Sequence, residues 1–262
     1  MWRRCWPGHL PCKAETMPED LSTLFALASI AFLGSIVYGL TGFGAALVTI
    51  PLALHFVPLP FALAVFALMD LGNSLRVGLQ HPGNAIKGEL ARMVPLVLAG
   101  TAVGVTALVK LPRAGAMLAL GVFVLLYAGY SLLRRPGGAI VGTGWAYVAG
   151  FVGGVTSTLF GAGGPPYAIY LSHRPLAKEQ FRATLTLTTL FSIGMRVVAF
   201  ALTGLLLKRE VLLAAVAVLP AAFVGISLAS RLFRRISHQM LLRLVALLLL
   251  ATGGSLIARA LG

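Results

Sequence analysis

Two glycine-rich stretches carry the residues best suited to chemistry: Gly39-Leu40-Thr41-Gly42-Phe43-Gly44, and Thr158-Leu159-Phe160-Gly161-Ala162-Gly163-Gly164-Pro165. A shift of 119 residues lays Gly42 on Gly161 and Gly44 on Gly163. Glycine lets the backbone adopt positive φ and approach a ligand closely. A helix that begins just after such a break offers free N–H groups and the positive end of its dipole, and both favour an anion. Thr41 on one side and Ser157 and Thr158 on the other add hydroxyl donors, while Pro165 and Pro166, which lack the helical donor, fit a second break just after Gly164. The stretches therefore read as a divided anion-binding site built on Gly42, Gly44, Gly161, Gly163 and Gly164. The competing reading is close helix packing through small residues, as the spacings Gly34, Tyr38, Gly42 and Gly150, Gly154 would allow.

Arg76 and Arg196 match at a shift of 120, each inside an apolar run. A guanidinium offers a planar fork to an oxyanion, so the two arginines are candidate substrate clamps. Arg76 is close enough to the end of its run to snorkel to an interface, whereas Arg196 has a longer way to go. Asp70 is the acid lying well inside an apolar segment, with Asn73 between it and Arg76. Either it pairs with Arg76, directly or through Asn73, or it takes up a proton that drives transport.

The elements that must position these residues are membrane-like. The 262 residues are 58% hydrophobic and 11% charged, and mean hydropathy is +0.93. Soluble domains run at roughly 45–50% apolar and 25% charged. Apolar runs cover roughly 21–57, 60–79, 90–109, 114–133, 143–172, 181–206, 210–230 and 239–258, separated by short breaks that are mostly charged. The expected fold is all-α, a polytopic transmembrane bundle of about eight segments built from two tandem repeats at 21–135 and 136–262, after a polar tail at 1–20. Besides the glycines and arginines, Met117-Leu118 parallels Met240-Leu241, and Lys87-Gly88-Glu89 parallels Lys208-Arg209-Glu210. Internal repeats of this size are typical of secondary transporters, which hold substrate between the halves.

The first run, 21–57, holds 37 residues, too many for one helix across a core of about 30 Å. Either it is one tilted, broken helix, giving eight crossings and parallel repeats, or it folds back as a hairpin, giving inverted repeats. With the tail, Arg76 and Arg196 set aside, the first arrangement divides the Lys and Arg residues seven to nine across the membrane, and the hairpin divides them five to eleven. The positive-inside rule prefers the hairpin, which puts both termini outside the cytoplasm.

The net charge of +14 does not point to nucleic acid, because the 21 Lys and Arg lie mostly in short loops rather than along one face. Cys5 and Cys12, both in the tail, have no histidine pair at ligand spacing. Met17 reads as an alternative start, and the tail has no apolar stretch of the kind a signal peptide needs. Zinc-protease, serine-hydrolase and nucleotide-loop motifs are missing, so neither enzyme activity nor a cofactor or metal is expected.

Gly39 to Gly44 with Pro51, followed a repeat later by Gly153-Gly154 and Gly161 to Pro165, resembles the sulfite exporter TauE/SafE family of membrane permeases. The resemblance runs from about 22 to 258 and departs at Ala45, where the second copy has Gly164. It implies a multi-pass carrier in the cell inner membrane for sulfite, a sulfonate or a related organic anion. The expected partners are therefore a small anion and the bilayer; a homo-oligomer stays open. The alternative is a non-transporting membrane protein that serves a neighbouring enzyme, and a channel is a third reading.

Overall fold

The computed structural model describes residues 21–79, 82–110, 112–133 and 140–232, with residues 250, 253, 254, 257 and 258 near the end. The tail 1–20 with Cys5 and Cys12, the charged break at 134–138 with the boundary between the halves, and most of the last apolar run at 239–258 lie outside the described residues. Among the described residues the structure is all-helical: α1 (Leu21–Thr41), α2 (Ala45–Ala53), α3 (Leu59–Gly78), a 3-10 turn (Pro82–Asn84), α4 (Lys87–Lys110), α5 (Arg113–Leu133), α6 (Trp145–Phe160), α7 (Gly164–Ser172), α8 (Lys178–Leu202) and α9 (Arg209–Leu232).

Five of these helices, α1, α3, α4, α8 and α9, are long and apolar enough to cross a membrane. Their outward faces are apolar as well: Phe25, Leu33, Leu202 and Val216 are all well exposed. A soluble protein seldom exposes so much contiguous apolar surface, whereas lipid covers it without cost.

α2 and α7 are different. Each has nine residues. At 1.5 Å per residue such a helix rises about 14 Å, half the hydrocarbon core. Neither continues the helix before it. Gly34 of α1 packs against Ala45 and Thr49 of α2, and Gly153 of α6 packs against the ring of Tyr167 in α7. Residues 14 or 15 apart in one straight helix would be about 22 Å apart, so the chain reverses at both breaks. At the mouth of the second reversal the Val141 N–H donates to the His173 carbonyl (3.2 Å), and Arg174 Nη1 donates to the Val141 carbonyl (2.9 Å). The 37-residue first run is thus a long helix followed by a short returning one.

Glycine sets the remaining contacts. A Cβ on Gly100 would stand 2.2 Å from the Phe151 carbonyl oxygen, one on Gly150 2.5 Å from that of Met93, and one on Gly154 2.5 Å from that of Val97. α4 and α6 therefore touch backbone to backbone, as small residues permit, and they run parallel. α1 and α9 do the same, with Phe32 against Gly225 and Gly39 against Ala229. The packing role foreseen for Gly34, Gly150 and Gly154 is thus present, beside the breaks rather than instead of them. α3 and α8 run antiparallel: Asp70 meets Arg196, while Gly78 faces Thr186 and Leu190.

Candidate functional site

The backbone turns at the breaks require glycine. Gly42, Gly44 and Gly161 have φ of 80°, 89° and 73°, in the left-handed region. At the first break the Thr41 hydroxyl bonds the carbonyls of Val37 and Phe43, so it serves the turn itself. At the second, the Gly161 N–H donates to the Ser157 carbonyl (2.9 Å) and the Ala162 N–H to the Thr156 carbonyl (3.1 Å). The two breaks meet. A Cβ on Gly164 would lie 2.6 Å from Cβ of Phe43, and one on Gly161 would lie 2.8 Å from Cβ of Ala46 and 2.9 Å from Nη1 of Arg196.

Among the described residues Arg196 is the largest fully buried side chain. Its Nη2 donates to Asp70 Oδ2 at 2.8 Å, and its Nη1 donates to the Ser157 carbonyl at 3.0 Å. One arginine thereby ties α8 to α3 and to the last turn of α6. A small cavity adjoins the pair, lined in part by Tyr38, Gly44, Asp70, Ser157, Gly161, Gly163, Gly164, Tyr167, Thr189 and Ser192. Its volume of about 10 Å³ is on the scale of one water. Asp70 Oδ1, Thr189 Oγ1 and Arg196 Nε are buried without a hydrogen-bond partner among the described residues. Such atoms are expensive in a low-dielectric interior. Their gathering here concentrates unmet hydrogen-bonding capacity beside the ion pair.

Of the residues singled out in the sequence, the structure brings Gly44, Ser157, Gly161, Gly163, Gly164, Asp70 and Arg196 together. Others lie apart. Gly42 faces Thr186, and the Thr158 hydroxyl bonds the Gly154 carbonyl (3.0 Å) in the contact with α4. Asn73 donates to Ser35 (2.9 Å), tying α3 to α1. Arg76 is exposed and donates to Ser227 of α9 at 3.0 Å. The expected pairing of Asp70 with Arg76 is therefore corrected, because Asp70 pairs with Arg196. Tyr38, Phe43, Tyr167, Thr189 and Ser192 were not foreseen. The spacing of Thr186, Thr189, Ser192 and Arg196 does put a polar stripe on one face of α8, a signal available in the sequence. Tyr167 donates to Ser192 at 3.0 Å, joining α7 to that stripe.

A second polar cluster holds the mouth of the α6–α7 reversal. Glu89, buried at the start of α4, accepts from the Tyr170 hydroxyl (2.5 Å) and from Arg174 Nε (3.1 Å). Arg92 lies 3.6 Å from it. Among the described residues no group of three His, Cys, Asp or Glu side chains is placed to hold a metal ion.

Long apolar helices, two short returning ones and a buried charged pair where they meet define a multi-pass membrane protein. Residues 27–256 match the family described as sulfite exporter TauE/SafE, and the chain belongs to that family. It is 30% identical over 211 residues to a probable sulfite/organosulfonate exporter, TauE, of Cupriavidus necator, covering 76% of this chain and 80% of that protein. It is 24% identical over 196 residues to a probable inner membrane transporter protein, TsaS, of Comamonas testosteroni, covering 71% of this chain and 82% of that one. No solved structure matches the chain.

Proposed function

We propose that this protein is a secondary transporter of the cell inner membrane that carries a small oxyanion, sulfite or an organosulfonate, between two related halves. The observation that carries the reading is the meeting of the two glycine breaks, Phe43 on Gly164 and Ala46 on Gly161, with Arg196 buried beside them. Transporters commonly place substrate where interrupted helices from two repeats converge. The names of the two relatives, one a sulfite/organosulfonate exporter, favour a sulfur oxyanion over a carboxylate.

The halves, 21–135 and 136–262, are inverted copies in this reading. Under the 120-residue shift α3 corresponds to α8, and these two run antiparallel, as inversion requires. α1 corresponds to α6 and α4 to α9, and the parallel packing of α1 on α9 repeats that of α6 on α4. Each half then contributes one hairpin to the centre, and transport is the rocking of one half against the other.

Counterflow into proteoliposomes, with sulfite, short sulfonates and carboxylates as competitors, tests the reading. Saturable exchange of the sulfur oxyanions is expected, with loss of exchange in Arg196→Ala. Uptake that never saturates would make the protein a channel, and an Arg196→Ala protein with unchanged rate and affinity would sink the proposed site.

A further inference from the structure

Arg196 is already occupied, by an anion that belongs to the protein. Asp70 Oδ2 sits 2.8 Å from Nη2, where an oxyanion oxygen would sit. Nη1 is engaged by the Ser157 carbonyl, and Nε has no partner among the described residues. The cavity is too small for a sulfonate headgroup while the carboxylate holds this position. A second anion arriving beside an ionised Asp70 would meet a like charge in an interior with little screening.

Resting on the anion-site reading above, we propose that Asp70 and the transported anion compete for Arg196, and that the anion binds together with one proton, which Asp70 takes up. The exchange balances. A proton from the adjoining aqueous phase joins the Asp70 carboxylate, the Asp70–Arg196 ion pair opens, and Arg196 pairs with the incoming oxyanion. The site is neutral in both states: ionised Asp70 with Arg196 in one, protonated Asp70 with Arg196 and a singly charged guest in the other. A dianion would leave a net negative charge inside the membrane, which is costly. The favoured cargo is therefore a monoanion such as a sulfonate or hydrogen sulfite, and its passage with one proton moves no net charge.

The surroundings of Asp70 leave the proton few other places to go. From α1 the titratable group facing it is Tyr38, from α8 Arg196 and from α7 Tyr167, whose hydroxyl is engaged with Ser192. α2 and the span of α9 from Val211 to Ala229 carry no titratable side chain, and Arg76 of α3 itself points away to Ser227. The unpartnered Oδ1 of Asp70 and Oγ1 of Thr189 are polar atoms that a protonated, swung carboxyl and a bound oxyanion would engage.

The test uses the purified full-length protein and methanesulfonate, the anion of a strong acid, whose own charge is constant from about pH 5 to pH 9. Where Asp70 is ionised in the empty protein, affinity should fall about tenfold per pH unit, with one proton taken up per anion bound. Asp70→Asn should bind with a change of less than about twofold over the same range and take up no proton. Asp70→Glu should keep the uptake, and together with the wild-type measurement it decides the matter if Asp70→Asn does not fold. Sulfate should bind at least about tenfold more weakly than methanesulfonate. Binding or counterflow by the wild type with flat pH dependence and no proton uptake would overturn the coupling and leave the anion transporter standing. Equal affinity for sulfate would overturn the monoanion rule. No binding of any anion at any pH would overturn both this inference and the proposed function.

Discussion

Arg196 and Asp70 are buried to within a few per cent, yet a buried ion pair is weak grounds for stability. Removing one partner strands the other charge, so Arg196→Ala and Asp70→Ala should each destabilise the protein by about 3–5 kcal/mol. The double variant Asp70→Leu, Arg196→Met removes both charges and should be more stable than either single variant while failing to transport. Unfolding in detergent measures the four proteins, and a double variant as unstable as the sum of the singles would mean that the two charges are not coupled. The glycines divide in the same way. Gly161→Ala puts a Cβ at positive φ and 2.8 Å from Ala46, so transport should be lost. At Gly44 a Cβ would meet only Leu47 at 3.6 Å, and Gly44→Ala should cost just the left-handed penalty, about 1–2 kcal/mol. Counterflow rates for the two variants check the contrast. The breaks themselves were legible because glycine and proline punctuate a helix whatever surrounds it. The partner of Asp70 was not, since it lies 126 residues away. The nearby Arg76 could have been set aside, because six residues along a helix turn a side chain about 120° from Asp70.

At the scale of elements, the two nine-residue helices need anchors, because helices this short are marginal alone and take their stability from tertiary contacts. For α7 the anchor is Glu89, which holds Tyr170 and Arg174 against the start of α4. Glu89→Ala leaves that hydroxyl and the Arg174 Nε without their acceptor, while Nη1 keeps the Val141 carbonyl, and since Arg174 reaches some solvent the loss should be about 2 kcal/mol. Glu89→Gln keeps an acceptor and should fall between Glu89→Ala and the wild type. Thermal unfolding in detergent ranks the three, and an unchanged midpoint for Glu89→Ala would mean that the α6–α7 reversal is held by packing alone. Loop length and charge in the sequence could not reveal this anchor. Glu89 reads there as a boundary acid in a charged break, and its burial depends on Tyr170, 81 residues on.

At the scale of the whole molecule, the all-helical class and the reversal of the first run were open to reading, since both follow from the length of apolar runs measured against a bilayer of fixed thickness. Which way the bundle faces is an electrostatic matter. Arg174 reaches Glu89 at the start of α4, and the Ile86 N–H donates to Thr184 near the start of α8 (3.0 Å). Lys87, Arg92, Arg174, Lys178 and Arg182 therefore gather at one end of the bundle, while Lys208 and Arg209 follow α8 at the far end of its 25 residues. The positive-inside rule assigns the richer end to the cytoplasm. Gly83, with open space around it in the turn before α4, and the exposed Leu207 before α9 report on the two ends. In a background without Cys5 and Cys12, Leu207→Cys should react with a membrane-impermeant maleimide in intact cells. Gly83→Cys should react only after the membrane is opened. The reverse pattern would turn the bundle over, and labelling of both from outside would break the antiparallel relation of α3 and α8 on which the inverted halves depend.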